Sequence, residues 1–325
     1  MPSLQSYRAP FWLPGGHAQT IWPAMVSRKH SGATPHYVRE RWDTPDGDFI
    51  DIDIQRAAHA DAHWLVMFHG LEGSSRSQYA EGFAREAAAA GLHFAVPHFR
   101  GCSGELNRAP RAYHSGDFEE IGWILARLRA RSAAPLLAAG ISLGGNALLR
   151  WAEDAGHSAA ATARAVAAVC SPIDLAAGGH AIGRGFSRLT YTRMFLASMK
   201  PRALAKLDQH PGLFDRERMI AARDLYEFDN LFTAPLHGFA NTEDYWARAS
   251  AKPHLQTIRI PALVVNARND PFVPAASLPR PSDVGPHVTL WQPEHGGHVG
   301  FASGRWPGHV QAMPQAVLHW LQERS

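Results

Sequence analysis

Apolar and polar positions along the chain alternate between two periods. HYVRERW and DFIDIDI, separated by the turn TPDGD, predict an antiparallel hairpin. WLVMFHG (64–70) is a continuous apolar run ending at Gly70, the pattern of a strand buried on both faces. SRSQYAEGFAREAAAAG then carries helical spacing and stops at Gly91. HFAVPHFRG predicts a strand, and DFEEIGWILARLRARS an amphipathic helix with Asp117 in its N-cap region. PLLAAGIS predicts a strand and LGGNALLRWAEDAG a helix. AVAAVCSP, PALVVNARND and HVTLWQPEHGG predict three more strands, and QAMPQAVLHWLQERS a closing helix. This alternation predicts the α/β class, a mostly parallel sheet with helices on both faces.

One stretch departs from it. Between Ile173 and about Lys252 no strand pattern occurs, while YTRMFLASM, RALAKLDQH, RMIAARDLYEF and EDYWARAS all read as helical. The expected organisation is a core of residues 1–172 and 256–325. Residues 173–255 form a helical cap over the C-terminal edge of the sheet.

Composition narrows the function. With 325 residues, 46% hydrophobic and 19% charged, the chain can bury a sizeable core. The formal net charge is +3 and no basic block stands out, which argues against a nucleic-acid partner. Cys102 and Cys170 are too few for a disulfide framework or a thiolate zinc site and read as free buried thiols. Pro10, Pro14 and Gly15-Gly16 interrupt the N-terminal stretch where a signal peptide needs an apolar run. No apolar window is long enough to span a membrane. The expected location is the cytoplasm, and the oligomeric state is left unassigned.

The sharpest motif is Gly140-Ile141-Ser142-Leu143-Gly144, which satisfies G-x-S-x-G between an apolar strand and a helix. A sharp strand-to-helix turn there lifts the Ser142 hydroxyl clear of the backbone and sets it at a helix N-terminus. A serine needs a base, and the base an orienting group. Asp270 follows a strand 128 residues after Ser142, and His298 follows the next strand 28 residues later. Asp270 is the expected acid and His298 the expected base. His295 and Asp283 are the competing choices. His298 is preferred because Gly296-Gly297 would let its loop approach the serine. His295-x-x-His298 is also half a metal site, but no further ligands accompany it, so neither a metal nor another cofactor is expected. The expected oxyanion donors are the backbone N–H groups of Leu143 and, in FHGLEGSS, Leu71.

The strings HAQT with Trp22-Pro23, FHGLEGSSRSQYA, HFRGCSGELNR, YHSGD, GISLGGN, GFSRL, EFDNLFTAPLHGF, ARNDPF and EHGGHVGF resemble the YheT-like hydrolases. These are α/β-hydrolases related to plant and animal α/β-hydrolase-domain esterases and lipases. By that resemblance Ser142, Asp270 and His298 match the family triad. Gly15-Gly16 departs from the pair common in relatives. Arg100 is read as a guanidinium tying loops together, and His114 and Asp117 as a helix cap. The expected function is hydrolysis of a small-molecule carboxylic ester through an acyl-enzyme. Short- to medium-chain acyl esters are favoured, with acylglycerols as candidates. The rivals are acyl transfer by the same triad and a non-catalytic ligand-binding protein on this scaffold.

Overall fold

The computed structural model describes residues 3–26 and 34–324. Eight strands form one sheet: β1 (Val38–Asp43), β2 (Phe49–Gln55), β3 (Trp64–Phe68), β4 (His93–Pro97), β5 (Leu136–Ile141), β6 (Ala163–Val169), β7 (Ala262–Val265) and β8 (Val288–Trp291). Their order is β1-β2-β4-β3-β5-β6-β7-β8. β1 pairs antiparallel with β2, and β2 with β4; every later pairing is parallel. The sheet is therefore mostly parallel, with the predicted hairpin at one edge.

The strands read as apolar runs because both faces are covered. Val66, Phe68, Ala138, Val166 and Val264 face α3 (Phe118–Arg129) and α4 (Leu143–Ala155), where they meet Ile121, Leu125, Leu148 and Trp151. The alternate residues Leu65, Met67, Leu137, Ala139 and Val265 face α2 (Gln78–Ala89) and the closing helix Ala312–Gln322, meeting Phe83, Ala87, Met313 and Val317. Ser325, which the sequence reading placed in the closing helical run, lies outside the described residues. Successive strand side chains point to opposite faces, so one uninterrupted apolar run serves two layers.

Between β6 and β7 the described residues hold helices and no strand. The principal ones are Leu175–Ile182, Arg193–Gln209, Arg216–Ala221, Leu225–Phe228 and Thr242–Ala249. They have apolar clusters of their own, one around Leu196, Met219, Phe228 and Phe232 and another around Leu175, Tyr245 and Trp246. A third cluster, with Ile182 and Tyr191 against Phe272 and Val273, joins them to the loop after β7.

Arg100 ties three segments together as expected. Its guanidinium donates to Asp46, Asp48 and Glu120 at 2.8, 2.9 and 2.6 Å. Asp117 differs from expectation. It precedes α3, but its side chain makes no cap hydrogen bond and instead accepts from Arg111 at 2.5 Å. A cationic partner competes better for this carboxylate than a neutral N–H does. His114 accepts from Gly116 N–H at 3.2 Å and caps no helix.

Candidate active site

Ser142 stands between β5 and α4 with φ +52°, ψ −118°, a conformation an L-residue adopts only when its surroundings enforce it. The neighbouring glycines show what enforces it. A Cβ on Gly140 would sit 2.5 Å from the Gly144 carbonyl oxygen, and one on Gly144 would sit 2.5 Å from that of His69. Helix α4 is thereby pressed against the end of β3, and its first N–H groups are left open near the Ser142 hydroxyl.

The structure brings the three predicted side chains together. His298 Nε2 is 3.0 Å from Ser142 Oγ, and His298 Nδ1 is 2.9 Å from Asp270 Oδ2. Asp270 Oδ1 accepts from the N–H groups of Phe272 and Val273 at 2.7 and 3.3 Å, which fixes the carboxylate. The Phe272 ring stacks on the His298 imidazole with centroids 4.1 Å apart. With Asp270 a carboxylate, Nδ1 must carry the hydrogen. Nε2 is then left to accept the Ser142 proton. The competing residues lie elsewhere: His295 is exposed, and Asp283 accepts from the Arg280 N–H.

Gly296-Gly297 acts differently from expectation. A Cβ on Gly297 (φ +59°) would lie 2.7 Å from the backbone of Gln19 and 2.8 Å from that of Thr20. One on Gly296 would meet the Phe301 ring at 2.5 Å. These glycines clear helix α1 (Gly16–Met25) and Phe301 rather than the serine. Sequence reasoning missed the clamp this close approach creates. Gln19 Oε1 accepts from Asn269 Nδ2 and from Gly296 N–H, both at 2.9 Å. Asn269 Oδ1 accepts from Gly297 N–H at 3.0 Å, and Thr20 Oγ1 from His298 N–H at 2.9 Å. The string HAQT was the available signal, though it carried no geometry.

Leu71 and Leu143 both line the space beside Ser142, and their N–H groups meet no acceptor among the described residues. The orientation of the Leu71 N–H follows from the residues before it. Burial holds the His69 pKa down at about 3, so the ring is neutral. His69 Nε2 accepts from Phe99 N–H at 3.1 Å, so Nδ1 donates to the Gly70 carbonyl at 2.8 Å. Gly73 N–H holds the same carbonyl at 2.9 Å. In a trans peptide the N–H points opposite the C=O, so the Leu71 N–H is aimed away from His69. Gly70 permits this approach, since a Cβ there would already be 3.2 Å from Ser142 Cβ.

Two cavities meet at these residues. One, of about 730 Å³, runs from Ser142 and His298 beneath Leu175, Ile182, Phe195, Met199 and Trp246. The other, of about 600 Å³, shares Leu71 and Leu143 but is lined by Glu72, Arg202, Lys206, Phe228 and Phe232. Asp229 faces both, and burial raises its pKa to about 6. Of the aromatic residues in the helical segment, Phe195, Tyr245 and Trp246 line the cavity above Ser142. Phe239 does not; it packs on His114 and Tyr245.

Cys170, Asp270 and His298 place ligand-type atoms within 4.8 Å of one another. Their chemistry fits a metal poorly. Burial pushes the Cys170 thiol well above its usual range, keeping it protonated, and it already accepts from Val299 N–H at 3.2 Å. Both His298 nitrogens are engaged by Asp270 and Ser142.

Residues 63–304 match the family model described as the alpha/beta hydrolase fold. The chain is 40% identical over 312 residues to the Escherichia coli (strain K12) protein YheT, whose name marks it only as a candidate esterase; the alignment covers 94% of this chain and 89% of that one. It is 25% identical over 331 residues to human phospholipase ABHD3, covering 98% and 79%. Among solved structures, mouse alpha/beta hydrolase domain-containing protein 10 superposes with a TM-score of 0.56 at 11% identity, covering 89% of this chain and 100% of that chain. The sheet order, the turn at Ser142 and the match across three quarters of the sequence lead to one conclusion: this chain belongs to the α/β-hydrolase fold family.

Proposed function

We propose that the protein is a serine esterase that cleaves carboxylic esters of short to medium acyl chain length through an acyl-enzyme. The observation that carries this reading is the continuous hydrogen-bonded line from Ser142 Oγ through His298 to Asp270 at the floor of an apolar cavity. In the first half-reaction Ser142 Oγ attacks the ester carbonyl carbon while its proton passes to His298 Nε2. The carbonyl oxygen becomes an oxyanion facing the Leu71 and Leu143 N–H groups. Collapse breaks the bond to the alcohol oxygen, which leaves with the proton from His298. A water then repeats the sequence against the acyl-serine, releasing the acid and restoring Ser142. Asp270 keeps the His298 tautomer and stabilises the imidazolium. No cofactor takes part.

Residues 173–255 act as the cap in this reading. Their helices roof the cavity above Ser142 with apolar side chains, so the acyl chain is assigned to that side. Turnover of p-nitrophenyl butyrate by the wild type and by Ser142→Ala tests the assignment. A folded Ser142→Ala variant should lose activity by a factor on the order of 10⁴–10⁶. Near-wild-type activity would refute it.

A further inference from the structure

From Leu175 to Leu207 the chain has no acidic residue and six cationic ones: Arg184, Arg188, Arg193, Lys200, Arg202 and Lys206. Arg202 and Lys206 turn inward to the second cavity. The other four lie on the outer side, interleaved with large apolar side chains that point to solvent. Phe186 is 51% exposed, Leu189 66% and Met194 57%. Arg184 and Arg193 make no ion pair among the described residues, and Arg188 has only a longer-range attraction to Glu227, which is itself paired with Arg223 at 2.9 Å. A shallow groove here is lined by Arg188, Arg193, Lys200 and Arg223 and by no acid.

This face adjoins the mouth of the site. A separate groove of about 890 Å³ leads to Ser142 and His298, and its outer lining includes Met25 of α1 and Met194. Met25 is 77% exposed, and Phe186 packs against His17 of the same helix with ring centroids 4.7 Å apart. The cationic and apolar residues therefore continue up to the opening of the site.

We propose that this face, residues 184–200 with the end of α1, seats the protein on an anionic lipid surface. The groove to Ser142 then opens toward that surface. The mixture of residues separates this partner from a protein. The centre of a protein–protein interface is depleted in charge, whereas here the apolar tips of Phe186, Leu189 and Met194 stand beside Arg184, Arg188 and Arg193 in the chain. That arrangement fits a bilayer interface, with the cations among lipid headgroups and the apolar tips just below them. Among the described residues no helix is long and apolar enough to cross a membrane.

Sedimentation with lipid vesicles tests this without reliance on hydrolysis. The full chain carrying Ser142→Ala should bind vesicles of phosphatidylcholine mixed with phosphatidylglycerol, and bind vesicles of phosphatidylcholine alone far less. Added salt should release it. A cation near an anionic surface strengthens binding about fivefold. Arg188→Gln with Arg193→Gln should therefore weaken binding by tenfold or more, and Leu189→Ser should weaken it separately. Placed in the otherwise wild-type chain, the same substitutions should leave turnover of water-soluble p-nitrophenyl acetate unchanged, which shows that the fold is intact. Equal binding to both vesicle types, unaltered binding by the variants, or no vesicle binding at all would overturn the proposal. The last result would turn the search to an acidic protein surface. Loss of the esterase reading would appear instead as absence of soluble-ester turnover in the wild type.

Discussion

Glu72 Oε1 lies 3.1 Å from Arg202 Nη1, joining the loop that carries Leu71 to the helix Arg193–Gln209. Glu72 has φ +59°, a strained value for a residue with a side chain. The Tyr113 hydroxyl accepts from Glu72 N–H at 3.1 Å and donates to Glu72 Oε1 at 3.0 Å. Tyr113 and Arg202 together hold the residue that follows the proposed oxyanion donor. Loss of one such donor costs on the order of 10²–10³ in kcat. Glu72→Ala loosens the donor rather than removing it, so kcat should fall roughly tenfold with KM for a small ester little changed. Glu72→Gln, which keeps an acceptor, should recover most of the loss. Steady-state kinetics that place the effect in KM would show that Glu72 serves binding instead.

Asp229 gives the cavity a pH dependence of defined sign. Its carboxyl accepts from Thr233 Oγ1 at 2.7 Å and from Trp246 Nε1 at 3.0 Å, and burial raises its pKa from the usual carboxylate range to about 6. Below about pH 6 the group is neutral and the cavity suits an apolar chain. Above it a negative charge faces the same space. KM for an apolar ester should therefore rise with pH through this range. Asp229→Asn stays neutral throughout, so its KM should remain low and flat. A KM profile that Asp229→Asn leaves unaltered would remove Asp229 from substrate binding.

Chain-length preference should be set by the helical segment above Ser142. Each buried methylene contributes about 0.8 kcal/mol, roughly fourfold in kcat/KM, until the cavity is filled. Phe195 lines this cavity, whereas Phe239 lies outside it. Phe195→Ala should move the optimum toward longer p-nitrophenyl esters, while Phe239→Ala should leave it in place. An optimum that Phe195→Ala does not move would assign the pocket to the loops at the sheet edge.

The clamp from α1 is a further test of how the site is held. Gln19 is 1% exposed, and its Oε1 accepts two hydrogen bonds from the loops carrying Asp270 and His298. Gln19→Ala leaves the buried Gly296 N–H unpaired, which costs about 1–3 kcal/mol, and releases the half-buried Asn269 amide. Urea unfolding should show a loss of a few kcal/mol, and kcat should fall even where the variant remains folded. Wild-type stability would mean that the loops repack without the clamp.

The residues of the fold and the site differ in how plainly the sequence announces them. The strands were legible because a parallel strand covered on both faces leaves an apolar run, as in WLVMF and LLAAGI. Ser142 was legible because a turn that excludes Cβ atoms demands glycine at fixed offsets. Asp270 and His298 followed from chain order and from strand ends. Gln19, Thr20 and Asn269 were not, because their partners lie up to 278 residues away. A side chain bonded to a distant loop backbone leaves no period and no spacing. Gly296-Gly297 was visible as an element of close approach, but the partner it approaches is fixed only by the tertiary fold. Asp117 was read as a cap from local pattern, and the nearby Arg111 took its carboxylate instead.

In the proposed mechanism the Ser142 hydroxyl, activated by His298, is the group that becomes acylated, an assignment open to direct chemical labelling. It is tested most directly by treating the protein with a fluorophosphonate and mapping the modified peptide by mass spectrometry. One stoichiometric adduct is expected on the peptide containing Ser142, absent from Ser142→Ala and formed orders of magnitude more slowly in His298→Ala. An adduct on a different residue, or full esterase turnover in protein that carries no adduct after treatment, would contradict it.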